Sequence, residues 1–296
     1  MQPVTRDTAS LNDPSCSEAL RDVGCVLTFE VAEPALLAFQ VAPARTAGAI
    51  VDERIEITHD GAPSSAAVTE VAADRGGRIH CVDAPSGTVT LTYFASVRPH
   101  PEGPPVPADT NLLVGNEAIV ALRQSRYCPS DALAGFATTE FAGAVGSPPD
   151  EIALRVASWV FERLVYAAGS SGPLDSAIDT LIAGSGVCRD FAQLTITLCR
   201  ALGVPARLAA VYAPGLSPMD FHAVVEVLTP GGWRVLDPTR LAPRGALVRI
   251  ATGRDAADTA FATTLRGNAE LVASWVSAST HGDLPDDDHA VALPLG

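Results

Sequence analysis

The sequence predicts an α+β protein in which a β-rich N-terminal region precedes a region of mixed helices and strands. At 296 residues the chain exceeds what one hydrophobic core usually organises. Between residues 24 and 98 the apolar residues fall in short β-rich runs, whereas after residue 147 their period becomes helical. A proline-dense stretch, VRPHPEGPPVPADTN, lies between these regions and is typical of a linker. We therefore predict two domains, residues 1–110 and residues 111–296.

The N-terminal region is predicted to be an antiparallel β-sandwich. Its candidate strands are the runs CVLTFEV, LLAFQV, RIEITHD and TVTLTYFASV. Pro, Gly and Asp-Gly turns punctuate these runs, which is the pattern of short strands in a sandwich.

Composition narrows the partners that the chain could have. The net charge of −14 disfavours binding to nucleic acid or to an anionic membrane surface. The first twenty residues lack the basic start and apolar run of a secretory signal, so we expect a cytoplasmic protein, although a chain whose signal had been removed would look the same. The six cysteines show neither C-x-x-C spacing nor neighbouring histidines, and we expect no metal and no cofactor.

In the second region the sequence predicts three helices followed by three strands. Ser147-Pro148-Pro149-Asp150 has the residues of a helix start, a second helix stops at Gly184, and a third begins at about Cys188 and ends near Gly203. The predicted strands are ARLAAVY, FHAVVEVL and WRVLDPT.

Cys188 is the candidate nucleophile because it stands at the predicted start of a helix. A helix N-terminus carries partial positive charge and free N–H groups, which favour a thiolate and could hold an oxyanion. A lone cysteine at such a position is more often structural, so a partner base is needed.

His222 and Asp237 supply that partner if the strands form a hairpin. An even-numbered loop at Thr229-Pro230-Gly231-Gly232 would place Leu228 opposite Trp233. Asp237 would then share a face with His222 as its diagonal neighbour, within side-chain reach. An odd-numbered loop would separate the two residues, so the inference depends on the turn.

The motifs GVCRDFAQLTITLCRALGVPAR, FHAVVEV and GGWRVLDPT resemble the core motifs of the bacterial transglutaminase-like proteins, cysteine-protease relatives in the papain-like superfamily. GCVLTFEV, SRYCPSD and VRIATGRDAADTAFATT resemble further segments of these proteins, in the same order. The resemblance implies a papain-like, transglutaminase-like core after the β-sandwich. It also implies a Cys-His-Asp triad of Cys188, His222 and Asp237.

Five further residues are candidates for substrate binding. Asp190 follows the nucleophile by two residues, although an acid in the first helical turn also serves the helix dipole. Trp233 lies on the predicted face of Asp237 and could either shield the triad or pack in a core. The resemblance places Arg126, Tyr127 and Arg254 near the cleft, while ion pairs at a domain interface are their alternative role.

The sequence thus predicts a thiol-dependent amide-bond hydrolase, a peptidase or amidase, acting on a peptide or protein through an acyl-enzyme. A protein-glutamine transglutaminase or deamidase and a non-catalytic peptide-binding module stay as alternatives. We also expect the β-sandwich to pack against the catalytic domain and form one wall of its cleft. The substrate and the oligomeric state are left open.

Overall fold

The structure, a computed structural model, describes residues 19–100 and 115–295 and confirms a mixed α+β fold dominated by strands. The described helices are α1 (Asn116–Leu122), α2 (Ala134–Glu140), α3 (Pro149–Arg163), α4 (Ala177–Ala183) and α5 (Cys188–Ala201). The described strands are β1 (Arg21–Phe39), β2 (Ala49–His59), β3 (Ala62–Pro63), β4 (Val68–Ala72), β5 (Arg78–Ala84), β6 (Gly87–Arg98), β7 (Val165–Tyr166), β8 (Ser185–Gly186), β9 (Ala206–Tyr212), β10 (His222–Thr229), β11 (Gly232–Leu236), β12 (Val248–Gly253) and β13 (Ala262–Thr280).

The N-terminal strands form an antiparallel sheet, and the expected sandwich takes the form of one curled sheet with seven strands. Its order is β3-β2-β6-β1-β5-β4, and β13 pairs with the other edge of β1. Strand β6 pairs with the first half of β1, and β5 pairs with its last residues, so β1 changes its neighbour along its length. The two predicted runs CVLTFEV and LLAFQV are therefore parts of one strand, joined through register shifts between Val31 and Leu37.

A second sheet, of order β11-β10-β9-β12, carries the helices on one face. Helix α5 packs its apolar residues against that face, with Leu194 and Leu198 fully buried beside Leu208 and Val225. The predicted helix ends are confirmed at α4, where Gly184 adopts a left-handed φ of 67°, a conformation that glycine adopts without steric cost.

The two sheets share a packed boundary. Tyr212, Val248 and Ile250 of the second sheet belong to the same buried cluster as the core residues of the first. The guanidinium of Arg21 donates to the carbonyl oxygens of Leu247, at 2.8 Å, and Gly245, at 2.7 Å. The β-rich region is therefore packed against the rest of the chain.

The division at residues 110 and 111 stays a prediction, since that position and most of the predicted linker lie outside the described residues. Strand β13 comes from the late part of the chain and yet pairs with β1 along its length. No helix in the described part of the chain is both long and apolar enough to cross a bilayer.

Candidate active site

The structure brings Cys188, His222 and Asp237 together from three different elements. Cys188 is the first residue of α5, His222 is the first residue of β10, and Asp237 directly follows β11. The Nε2 atom of His222 lies 2.9 Å from Oδ2 of Asp237. A thiol, an imidazole and a carboxylate thus lie together, with the imidazole bound to the carboxylate, as nucleophilic catalysis requires.

The hairpin between β10 and β11 sets this alignment. Leu228 pairs with Trp233 and Thr229 with Gly232, so the loop has two residues, the even number on which the sequence inference depended. The last described pair is Val225 with Leu236, which places Asp237 one residue beyond, on the side of the sheet that His222 occupies.

Asp237 is buried and is held as a carboxylate by its neighbours. The hydroxyl of Thr239 donates to Oδ1 at 2.7 Å and the backbone N–H of Thr239 donates to the same atom at 2.9 Å. Burial opposes ionisation, but the charge of His222 and these hydrogen bonds hold the pKa of Asp237 below its usual range.

The imidazole of His222 is buried beside this carboxylate. Burial alone would lower its pKa, but the charge of Asp237 and the hydrogen bond to it raise the pKa of His222 to about 10. The hydrogen bond occupies Nε2, and Nδ1 has no hydrogen-bond partner. Interaction with the Cys188 side chain raises the same pKa further, and the Cys188 sulfur lies 3.9 Å from the carbonyl oxygen of Phe221, the residue before His222.

Cys188 differs in exposure from three of the four other described thiols, whereas Cys81 is also partly buried. Cys25, Cys128 and Cys199 are buried, and burial raises the pKa of each thiol to about 12. Cys188 is only partly buried, and its thiol donates to the carbonyl oxygen of Phe221 at 3.9 Å. Accessibility and an imidazole partner are the conditions under which a cysteine acts as a nucleophile.

Tyr166 is a site residue that the sequence reasoning missed. It belongs to β7, which pairs with β8 in parallel and so places Tyr166 opposite Gly186, two residues before the nucleophile. Burial and the charge of Cys188 raise the pKa of Tyr166 to about 12, against an opposing interaction with the backbone N–H of Cys188. The parallel pairing therefore places Tyr166 next to the start of α5, where Cys188 lies. Nothing in the pattern of a two-residue strand indicates this pairing.

Asp190, predicted to contact substrate, is fully buried in a network of internal hydrogen bonds. Its Oδ2 accepts from the backbone N–H of Val187 at 2.8 Å and from the hydroxyl of Ser171, and its Oδ1 pairs with Arg189 at 2.9 Å. This carboxylate closes the start of α5, which is the structural role that the sequence also allowed.

Arg126 and Tyr127 belong to the SRYCPSD segment, which contacts a later part of the chain at Asp255. The backbone N–H of Tyr127 donates to Oδ2 of buried Asp255 at 2.9 Å, and the Arg126 guanidinium lies 5.1 Å from the ring centre of Tyr127. Buried Arg200 also donates to the carbonyl oxygen of Arg254 at 2.6 Å. These contacts fix the two segments to each other, and none of them involves the thiol.

Trp233 and Arg254 lie away from the thiol. The Nε1 atom of Trp233 donates to Glu117 at 3.0 Å, and the ring lies under the guanidinium of Arg207 at 3.6 Å. Arg254 is exposed and pairs with Asp258. Of the five predicted substrate-binding residues, only Asp190 lies in the same helical turn as Cys188, and its side chain is buried.

The segment that carries this site is similar to known proteins. Residues 139–238 match the family model described as the transglutaminase-like superfamily, a segment that contains Cys188, His222 and Asp237. The crystal structure of a candidate cysteine protease from Cytophaga hutchinsonii is 33% identical to the chain, with a TM-score of 0.81. That similarity covers 92% of this chain and 95% of the Cytophaga chain.

Two curated relatives match a shorter segment, 38% of this chain in each case. An uncharacterized protein of Mycobacterium leprae is 32% identical over 124 residues, and one of Mycobacterium tuberculosis is 33% identical over 131 residues. The chain spans 43% and 40% of the length of these two relatives.

Proposed function

The chain belongs to the transglutaminase-like superfamily, and from that premise we propose that it is a thiol-dependent amide-bond hydrolase, a peptidase or amidase. The observation that carries the proposal is the alignment of a partly accessible thiol, a buried imidazole and a buried carboxylate at Cys188, His222 and Asp237. A protein that only bound peptides would have no need of this arrangement.

The first half of the proposed reaction forms an acyl-enzyme. The Cys188 thiol gives its proton to His222, and the sulfur attacks the carbonyl carbon of the substrate amide. The imidazolium then donates that proton to the leaving nitrogen, and the C–N bond breaks to release an amine. Asp237 stabilises the imidazolium and keeps the ring oriented.

Hydrolysis of the thioester completes the cycle. His222 accepts a proton from water while the water oxygen attacks the acyl carbon. The C–S bond breaks, the sulfur regains a proton from the imidazolium, and a carboxylic acid leaves. An amine in place of water would give transamidation by the same steps.

The oxyanion of both tetrahedral intermediates needs hydrogen-bond donors close to the sulfur. The backbone N–H of Cys188 and the phenol of Tyr166 are the groups that meet this requirement. We assign Tyr166 to oxyanion stabilisation, with its hydroxyl as a donor.

An apolar wall lies on the other side of His222. Phe221 stacks on Phe261 with ring centres 4.9 Å apart, and the backbone N–H of Gln40 donates to the carbonyl oxygen of Phe261 at 2.9 Å. Phe221 precedes the histidine, and both rings also pack against the core of the curled sheet. The N-terminal region therefore supports one wall of the proposed cleft, suited to apolar substrate side chains.

Mass spectrometry of a peptide library incubated with the protein tests the proposal. Hydrolysis by a peptidase predicts peptide fragments that together gain one water at a backbone amide, and an added primary amine should not be incorporated. Amine adducts would instead assign a transglutaminase, and conversion of glutamine to glutamate alone would assign a deamidase.

Two cysteine variants control the experiment. Cys188→Ala should lower the turnover rate by about a thousandfold or more. Cys81→Ala, a change at another partly buried thiol, should leave that rate unchanged. Peptide binding without any product, in a folded wild-type protein, would favour the binding module and refute the proposal.

A further inference from the structure

A cavity of about 450 Å³ lies between the curled sheet and the second sheet. Its walls include Arg75 from the N-terminal region, Glu117 and Val120 from α1, and Arg207 from β9. The residues that line it do not include Cys188, His222 or Asp237. The cavity is therefore a separate space from the proposed active site.

The backbone register places the cavity well away from the thiol. Arg207 pairs with Glu226 in the β9–β10 ladder, and His222 pairs with Val211, four positions further along β9. At 3.4 Å per residue this separation is about 14 Å. A molecule in the cavity would not reach the reacting atoms unless it were long.

Arg207 lies in the cavity wall, and one of its guanidinium nitrogens makes no hydrogen bond. Its side chain is 8% exposed, its Nε donates to Glu226 at 2.8 Å, and one face is covered by the indole of Trp233 at 3.6 Å. Its Nη1 atom is buried and makes no hydrogen bond, and it forms an ion pair with a Glu117 carboxylate oxygen 3.5 Å away. A buried guanidinium edge of this kind matches the two oxygens of a carboxylate.

The remaining charges of the wall are of both signs. Arg75 pairs with Glu117, Arg254 pairs with Asp258 at 2.8 Å, and Asp74 also lines the space. Three arginines thus meet three carboxylates around the cavity. A balanced wall favours a ligand that itself carries both charges over a multiply charged anion such as phosphate.

We propose that this cavity is a second binding site, which takes a small zwitterion such as a free amino acid or a short peptide. The ligand carboxylate replaces Glu117 at Nη1 of Arg207, and the ligand ammonium then lies near Glu117 and Asp74. Trp233 and Arg254, predicted as substrate-binding residues, both adjoin this site. The inference does not depend on catalysis at Cys188.

Calorimetric titration of the full chain with alanine and with dialanine tests the proposal. At least one zwitterion should bind, and N-acetylation or C-terminal amidation of that ligand should weaken binding tenfold or more, since a hydrogen bond to a charged group contributes about 1.5–3 kcal/mol. Quenching or enhancement of Trp233 fluorescence, absent in Trp233→Phe, should follow the same isotherm.

Variants locate the site. Arg207→Lys keeps the charge but loses the planar fork, and it should weaken binding about tenfold or more while thermal melting stays close to wild type. Glu117→Gln should weaken the zwitterion more than its N-acetylated form, which provides a second test if Arg207→Lys does not fold. Cys188→Ala should bind as the wild type does.

Three outcomes would overturn the inference. One is the absence of binding by any of these ligands up to about 10 mM, a concentration that would detect millimolar affinity. Another is loss of binding on alkylation of Cys188, which would assign the ligand to the active site. The third is equal binding of inorganic phosphate at Arg207, which would replace the zwitterion with a simple anion.

Discussion

The hydroxyl of Tyr212 donates a hydrogen bond of 2.9 Å to the carbonyl oxygen of Val41. Tyr212 ends strand β9 in the sheet that carries His222, and Val41 follows the long strand of the curled sheet. Both residues are fully buried. This bond joins the two sheets at a point from which water is excluded.

Tyr212→Phe should therefore destabilise the protein by about 1 kcal/mol, because a buried carbonyl would lose its donor. Urea denaturation would measure the change, and catalytic turnover should be preserved. Tyr127→Phe is a matched control, since that ring is partly exposed and its change should leave the free energy of unfolding within about 0.5 kcal/mol of wild type. Equal stability of the two variants would contradict this prediction.

Cys188 should be alkylated by iodoacetamide before any other described cysteine. Its thiol is partly accessible and lies beside an imidazole, whereas Cys25, Cys128 and Cys199 are buried thiols with pKa values raised to about 12. Peptide mapping at short reaction times would measure the order. Earlier labelling of Cys81, which is also partly buried, or of Cys128 or Cys199 would count against Cys188 as the nucleophile.

Asp237→Asn should keep the fold and lower the catalytic rate by several orders of magnitude, up to about 10⁴-fold by analogy with measured triads. The amide would favour the wrong imidazole tautomer and could not stabilise the imidazolium. Steady-state kinetics with circular dichroism would test both parts. A folded Asp237→Asn protein with wild-type kinetics would remove Asp237 from the mechanism.

His222 should titrate far above the ordinary histidine pKa of about 6.5 in the wild type, and below that value in Asp237→Asn. The pKa of His222 is about 10 because Asp237 outweighs burial, and removal of the carboxylate leaves burial as the larger effect. NMR of the ring carbons would measure both values.

The same shift has a consequence for stability. A raised histidine pKa stabilises the fold fully below about pH 6.5, and that stabilisation is lost as the pH rises to about 10. The difference in unfolding free energy between wild type and Asp237→Asn should therefore shrink over this window. A difference that stays constant from pH 6.5 to pH 10 would contradict the assignment.

Tyr166→Phe should lower the rate of acylation by about tenfold to a thousandfold, because the oxyanion would lose a donor. Alkylation of Cys188 by iodoacetamide forms no oxyanion, so its rate should change much less. This comparison separates loss of the donor from a general disturbance of the thiol. Equal slowing of both reactions would favour a structural role for the tyrosine.

Local sequence signals predicted the active-site hairpin but left its loop length, and so its alignment, open. Pro230-Gly231 allows a two-residue turn, and once the turn is known the alternation of β10 and β11 fixes which side chains share a face with His222. The helix beginning at Cys188 was predicted from its apolar period and its boundaries, and the structure confirms it.

The same rules could not give positions that depend on the rest of the fold. Alternation correctly placed Trp233 on the face of Asp237, but it does not say what covers that face. In the structure it is Arg207, rather than the triad, that lies over the indole. Tyr166 was missed because its two-residue strand has no period to detect.

Strand β13 was also missed as a member of the first sheet. Its sequence, ATTLRGNAELVASWVSAST, has side chains exposed on both faces over most of its length, so it lacks the alternation of a half-buried strand. Pairing with a distant partner along the backbone, which sequence periodicity does not report, decides its place.

Because β1 pairs with β13, the first sheet can be completed only late in synthesis of the chain. The ribosome delivers β1 early, but that strand gains its partner along the other edge only after the helices and the second sheet have been made. Until then β1 exposes a row of unpaired backbone groups, which invites association with other nascent chains. Rapid dilution from denaturant should give refolding yields that fall steeply with protein concentration, whereas the completed molecule is protected by the strand that arrives last.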